Sequence, residues 1–204
     1  MKKISLVLAL LVCSLLAAQT VDQLYQKINA YYGSLSSYQA DLRQENHFKQ
    51  INQVLSYTGK IYFQKDRMLM DFSAPTRQRL LIQNGNAELY DASSNTLFKS
   101  RVMPQFNRMN PIEILELYWG KSEVKILENK AGKSRVRLNP KQDPLISSLE
   151  ATIDNSSGSI SKLSYTDKSA NMVSYHFSKI TVNKGIPTSI WKFSYPRDVQ
   201  VIQQ

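Results

Sequence analysis

The sequence predicts a mainly β protein: an antiparallel sheet that curls on itself, accompanied by an N-terminal helix and a short central one. Three observations carry that reading. Apolar residues recur with a period of two through about ten or eleven short segments. Turn clusters, among them NKAGKS, DNSSGS and NKGIP, separate those segments. Strand-like and helix-like stretches do not alternate as they would around a parallel sheet, which argues against an α/β architecture.

The first residues, MKKISLVLALLVCSLLAAQT, have the make-up of a secretory signal. Lys2 and Lys3 supply positive charge, Ile4 to Leu16 an apolar run, and the small residues around Ala18 a cleavage site. The run is too short for a transmembrane helix, and no later stretch approaches ~18 apolar residues. The expected division is a signal over 1–18 and one exported, soluble domain over 19–204. Cys13, the only cysteine, leaves with that signal, and with it any disulfide, thiol nucleophile or thiolate metal site. The rival is a lipidated Cys13, against which Val12 stands where lipoprotein processing needs a small residue.

TVDQLYQKINAYYGSL reads as an amphipathic helix. Val21, Leu24, Tyr25, Ile28 and Tyr31 fall at spacings of three and four, Thr20 and Gln23 form a capping pair, and Gly33 is a stop. The period then changes to two. Tyr38, Ala40 and Leu42 share a face, as do Tyr57, Gly59, Ile61 and Phe63, and then Met68, Met70 and Phe72. RQRLLIQNGNAELYD is a hairpin whose Asn84-Gly85 pair supplies the positive φ angles of a type I′ turn. DASSNTLFKS turns again into Leu97 and Phe98. NPIEILELYWG interrupts the pattern with a short helix, from Pro111 to the stop at Gly120, with Ile112, Leu115 and Trp119 along one stripe. Strand patterns resume and run to the closing TSIWKFSYP and VQVI, which put Trp191 and Phe193 on one face and make Arg197-Asp198 a turn.

Apolar residues are 42% of the chain and charged residues 21%, enough for a sizeable core. The net charge of +10 suits an anionic membrane, an acidic partner or simply solubility. Nucleic acid is set aside, because the chain is exported and has no dense Lys/Arg cluster. Chemistry is hard to find. GKS occurs after Gly120 and Gly132, yet Leu115 and Leu127 occupy the positions where a P-loop needs glycine. His47 and His176 lie in separate segments with no ligand spacing, so no metal is expected. Glu113 and Glu116 suit a solvated helix face better than acid–base work. No enzyme activity and no cofactor are expected.

What remains is apolar surface. A curved sheet whose concave face carries Ile61, Phe63, Met68, Met70, Leu80, Ile82, Leu89 and Phe177 can close as solid core. The alternative is that it stays open around a ligand, covered by the N-terminal helix or PIEILELYW; periodicity alone favours packed core.

The order and spacing of these motifs resemble the periplasmic outer-membrane lipoprotein carrier (LolA) family over nearly the whole exported chain. LSSYQADLRQ is similar to the family's opening strand, and GKIYFQKDRMLMDFSAP to its glycine-led strand, basic turn, second strand and proline. LLIQNGNAELYD resembles its hairpin, and VSYHFSKITVNKGIPTSIWKFSYPRDVQVI its closing meander. The resemblance implies an incomplete, strongly curved antiparallel barrel with helices as a lid over an apolar cavity. It implies a monomeric periplasmic shuttle that takes acylated lipoproteins from an inner-membrane ABC transporter to an outer-membrane acceptor. A half-barrel sensor or acceptor that binds acyl chains without shuttling is the alternative. On this reading the eight concave residues, with Trp191 and Phe193, contact acyl chains, while Ile112, Leu115 and Trp119 form the lid. The family commonly places a lid-contacting arginine in the second strand. This chain has none inside MLMDF, which leaves Lys65 or Arg67 for a lid or partner contact.

Overall fold

A computed structural model describes residues 19–64, 67–102 and 111–203, and the side chains of all of these except 111–113. The expected signal, Lys65 and the side chain of Ile112 lie outside that description.

Helix α1 (Val21–Gly33) begins where the capping pair predicts: Thr20 Oγ1 accepts from Gln23 N–H at 3.2 Å, and Thr20 N–H donates to Gln23 Oε1 at 3.1 Å. Its buried stripe is Leu24, Ile28 and Tyr32. Strands β1 (Tyr38–Phe48) and β2 (Gln53–Gln64) form a long hairpin closed by one 3-10 turn, Lys49–Ile51. A meander follows: β3 (Arg67–Ala74), β4 (Gln78–Gln83), β5 (Asn86–Asp91) and β6 (Thr96–Arg101). At the β4–β5 turn Asn84 and Gly85 have φ of 52° and 72°, as the type I′ pair requires. After α2 (Pro111–Trp119) come β7 (Ser122–Lys130), β8 (Lys133–Pro140), β9 (Ile146–Asp154), β10 (Ile160–Asp167) and β11 (Met172–Val182). A single turn of helix, α3 (Thr188–Trp191), and a short β12 (Gln200–Gln203) end the described chain.

All twelve strands join one sheet in the order β12-β6-β5-β4-β3-β2-β1-β11-β10-β9-β8-β7. The sheet is curved and open, an incomplete barrel whose edges are β12 and β7. Register shifts in β1–β11, β2–β3, β7–β8 and β9–β10 add local bend to the ordinary strand twist.

Two details depart from expectation. One pair of the described sheet, β12 with β6, is parallel. TSIWKFSYP is not a strand: Pro187, at φ −54°, sets up the single turn of α3, and residues 192–196 run outside the ladder. Side-chain contacts, described below, take the place of ladder hydrogen bonds there.

The main core lies between the concave face and the two helices. Leu24 and Ile28 from α1 and Leu115 and Trp119 from α2 pack with Val136, Leu138, Leu149, Ile153, Ile160 and Leu163. Tyr25 stacks on Trp119 with ring centroids 5.4 Å apart. Polar ties seat the helices as well. The buried Tyr32 hydroxyl accepts from Ile160 N–H at 2.9 Å, Lys27 Nζ donates to the Asn155 carbonyl, and Tyr118 donates to Asp143 at 2.7 Å. Gly158, at φ +82°, permits the closest approach: a Cβ there would lie 2.4 Å from the Lys27 carbonyl carbon.

Candidate functional site

Alternation sends Met68, Met70 and Phe72 of β3 to the concave face, and the ladder fixes their neighbours. One row crosses six strands in register: Ile61, Met70, Leu80, Leu89, Phe98 and Ile202. A second row beside it runs Phe63, Met68, Ile82 and Ala87. Seven of the residues singled out in the sequence therefore meet on two adjacent rows. Phe177, the eighth, sits on β11 opposite Leu42, against Tyr38 and Tyr175.

The first row is not uniformly covered. Ile61 is fully buried and Leu80 half-buried, whereas Leu89 and Phe98 are 38% exposed and Ile202 42%. The principal helix contacts lie at the other end of the sheet, α1 on β7 and α2 on β7, β8 and β10. Beside them Leu138, Leu149 and Ile153 are fully buried. Leu115 is fully buried and Trp119 nearly so, so these two of the three expected lid residues are part of the packed core.

Phe98 and Ile202 extend the floor beyond what the sequence singled out. Leu97-Phe98 is an adjacent apolar pair, and which of the two faces inward depends on register with β5. Ile202 reaches the row only through the long-range parallel pairing with β6.

Trp191 and Phe193, expected on the concave side, lie on the convex side. Trp191 packs with Tyr62, Leu69 and Ile186 in a separate cluster. Leu69 alternates with Met68 and Met70, so whatever covers it is on the other face. Arg67 goes there for the same reason: its guanidinium stacks 4.2 Å from the Trp191 ring of α3, on the face opposite α1 and α2. Arg67, expected to make a lid or partner contact, thus rests against Trp191 on the convex side.

Phe193 lies between Arg77, at 5.1 Å, and Arg79, at 5.2 Å. Arg79 is buried, donates to the Ile190 carbonyl at 2.6 Å and pairs with Asp71 at 3.5 Å. Burial pushes the pKa of Arg79 down, and the Asp71 carboxylate pulls it back. Tyr90, Phe193 and Tyr195 form a mutual aromatic cluster, and the Tyr195 hydroxyl donates to Glu88 at 3.0 Å. Burial, and then that hydrogen bond, push the Tyr195 hydroxyl up to about 12. The C-terminal segment is thus clamped to the back of the sheet.

The rest of the convex face is polar. Asp41 takes Lys60 at 2.6 Å and Lys179 at 2.9 Å, beside a shallow groove of about 610 Å³ bordered by Arg43, Asp71 and His176. The lysine hydrogen bonds hold the Asp41 carboxyl below its usual range. His176 faces Glu45 at 3.4 Å, and burial with the nearby Lys162 and Arg43 charges lowers its pKa despite that carboxylate. His47 is four residues further along the register, about 13 Å away, so the two histidines are not brought together. Among the described residues no three His, Cys, Asp or Glu side chains gather as metal ligands. Nor is any described helix long and apolar enough to cross a membrane.

Comparison with known proteins agrees with this architecture. No curated protein matches the chain in sequence. Among solved structures, an uncharacterized conserved protein from Thermus thermophilus is 10% identical. It aligns over 91% of this chain and 100% of its own, with a TM-score of 0.59. MucB is 11% identical, aligned over 89% of this chain and 64% of its own, with a TM-score of 0.54. At these identities the likeness is one of fold. A family model described as "Outer membrane lipoprotein carrier protein LolA" matches residues 33–194. With most of its length inside that match, and the open curved sheet to go with it, the chain belongs to the LolA family.

Proposed function

We propose that this chain is a periplasmic carrier that seats lipoprotein acyl chains on the open half of its concave face and conveys them from the inner to the outer membrane. The observation that supports this reading is the row from Ile61 to Ile202, buried at one end and increasingly open at the other. Large apolar side chains left together in water call for an apolar cover. An acyl chain has the matching chemistry and the matching need. Burial stabilises each methylene by roughly 0.8 kcal/mol, so a chain of about fifteen carbons resists crossing water by about 12 kcal/mol. A seat that covers such a chain on one side offsets much of that cost yet permits release.

Residues of the covered half act as scaffold, with α1 and α2 held on it. The proposed partners are acylated lipoproteins, a releasing ABC transporter of the inner membrane and an acceptor at the outer membrane. The proposed role calls for no bond-making step, so the protein works as a carrier rather than an enzyme. The family description supports the cargo assignment.

The test uses a triacylated lipopeptide carrying an environment-sensitive fluorophore, mixed with the purified protein. Shielding of the probe at one-to-one stoichiometry is expected, weakened about tenfold or more by Phe98→Asp. A lipopeptide that stays in its micelles whatever the protein concentration overturns the proposal. Uptake without onward delivery to outer-membrane vesicles replaces the shuttle with a sensor or acceptor.

A further inference from the structure

The open row accounts for three of the exposed large apolar residues, and three others gather elsewhere. Ile51 is 66% exposed, Leu145 59% and Val54 53%. The strand directions place all three at one end of the sheet. There β1 ends and β2 begins, β10 turns into β11, β8 runs into β9, and β7 starts after α2.

Hydrogen bonds join these loops into one rim. Lys49 N–H donates to Asn171 Oδ1 at 3.1 Å, and the Gln50 side chain donates to the Ser169 carbonyl at 2.6 Å. Lys168 N–H donates to the Leu145 carbonyl at 3.0 Å, and Lys141 N–H to the Lys121 carbonyl at 3.2 Å. The rim is thus a built surface in which the tip of the long hairpin is tied to its neighbours.

Its charge is one-sided. Lys49, Lys121, Lys141 and Lys168 are all exposed. None of these four lysines is in the ion pairs of the described residues, which join Lys60 and Lys179 to Asp41, Lys99 to Glu88 and Arg137 to Glu150, and, near the start of β7, Lys125 to Glu123. The two aspartates of the rim are engaged by their own loops. Asp143 accepts from Leu145 N–H, Ile146 N–H and the Tyr118 hydroxyl, with Lys168 close enough to favour its charged form. Asp167 accepts from Ser169 N–H, Asn171 N–H and the Asn171 side chain. What faces outward is therefore aliphatic side chains and ammonium groups, with uncharged polar side chains such as Gln50, Asn52, Gln53 and Gln142 among them.

We infer that this rim docks the protein on an anionic lipid bilayer. The lysines meet the headgroup phosphates, while Ile51, Leu145 and Val54 enter the headgroup–acyl boundary. Charge complementarity selects the occupant: a neutral apolar partner leaves the ammonium groups of Lys49, Lys121 and Lys141 unmatched, and a purely acidic partner leaves the aliphatic side chains in water. The inference does not depend on acyl binding, because no residue of the rim belongs to the Ile61–Ile202 row.

The test is co-sedimentation of the purified protein with vesicles of phosphatidylcholine alone or with about one-third phosphatidylglycerol. Binding to the anionic vesicles only, weakening as salt screens it, is expected. The triple variant Lys49→Gln, Lys141→Gln, Lys168→Gln loses roughly fivefold per lysine. A control variant removes the same charge from exposed positions at the other end, Lys130→Gln, Lys133→Gln, Lys184→Gln, and keeps at least tenfold more binding. Ile51→Ser with Leu145→Ser weakens binding about tenfold at a salt concentration where the charges are screened. Equal losses from the two lysine variants overturn the inference, since net charge alone would then act. Failure of the unaltered protein to sediment with anionic vesicles also overturns it, and capture of an acidic protein by the same rim in that case reassigns the surface. Lipopeptide shielding, measured on each variant without vesicles, stays unchanged and separates this outcome from failure of the carrier proposal.

Discussion

The two halves of the concave face make an instructive pair. On β8, KSRVRLNP sends Val136 and Leu138 inward, and on β5, NAELYD sends Ala87 and Leu89 inward. The alternation is equivalent, yet Val136 and Leu138 are fully buried while Leu89 stands partly in water. What differs is the cover: α1 and α2 pack chiefly on β7, β8 and β10. Alternation thus decides which face a side chain takes, and a second layer decides whether that face becomes core or surface.

The sharpest way to break this comparison is to truncate one leucine from each half. Leu138→Ala leaves a cavity in packed core and is expected to cost about 2–5 kcal/mol in urea denaturation. A loss below about 1 kcal/mol would show that the covered half is loosely packed, and the contrast would collapse. Gly158→Ala attacks the cover itself, since it forces a side chain into the Lys27 backbone from a positive φ. We expect a loss of more than about 1 kcal/mol, with faster amide exchange in α1. Full stability would mean that the helix is free to move off the sheet.

Leu89→Ser on the open half should change stability by less than about 1 kcal/mol. The same substitution should weaken lipopeptide binding about tenfold, which fluorescence titration would detect; a large stability loss with unchanged binding would make Leu89 core.

The smallest effect concerns acid. Asp154 accepts from the backbone and hydroxyl groups of Ser156 and Ser157, chiefly the Ser156 hydroxyl, which lowers its pKa to about 2. Because the folded value lies below the unfolded one, the stabilisation is complete above the unfolded pKa near 4. It fades as pH falls toward 2, taking with it the turn that seats α1. Thermal melts of Asp154→Asn should accordingly show a shallower decline between pH 4 and pH 2 than those of the unaltered protein. Parallel declines would remove this turn from the acid response.

Much of the fold was legible because local signals coincide with global ones. Thr20 and Gln23 start α1 in a capping box that no tertiary contact is needed to predict. Asn84-Gly85 fixes the β4–β5 register, and with it the inward side of Leu80, Ile82 and Leu89. The C-terminal segment was legible only in part. Trp191, Lys192 and Phe193 alternate as a strand would, but the segment's partners are Arg67, Arg77 and Arg79 on the back of the sheet, and an arginine–aromatic contact leaves no periodic trace in the sequence. Likewise the parallel pairing of β12 joins residues about a hundred positions apart, beyond the reach of any local pattern.

An open sheet also has a consequence for self-association. A closed barrel has no free strands, but among the described residues this sheet ends in β7 on one side and β12 on the other, edges of the kind that can recruit a second copy. Both ends are poor templates. β12 is four residues long. β7 carries a register shift between Ile126 and Glu128 and sets Glu123, Lys125, Glu128 and Lys130 along its length. The same incompleteness that leaves the apolar floor accessible would invite edge-to-edge stacking, and these two strands are built to resist it.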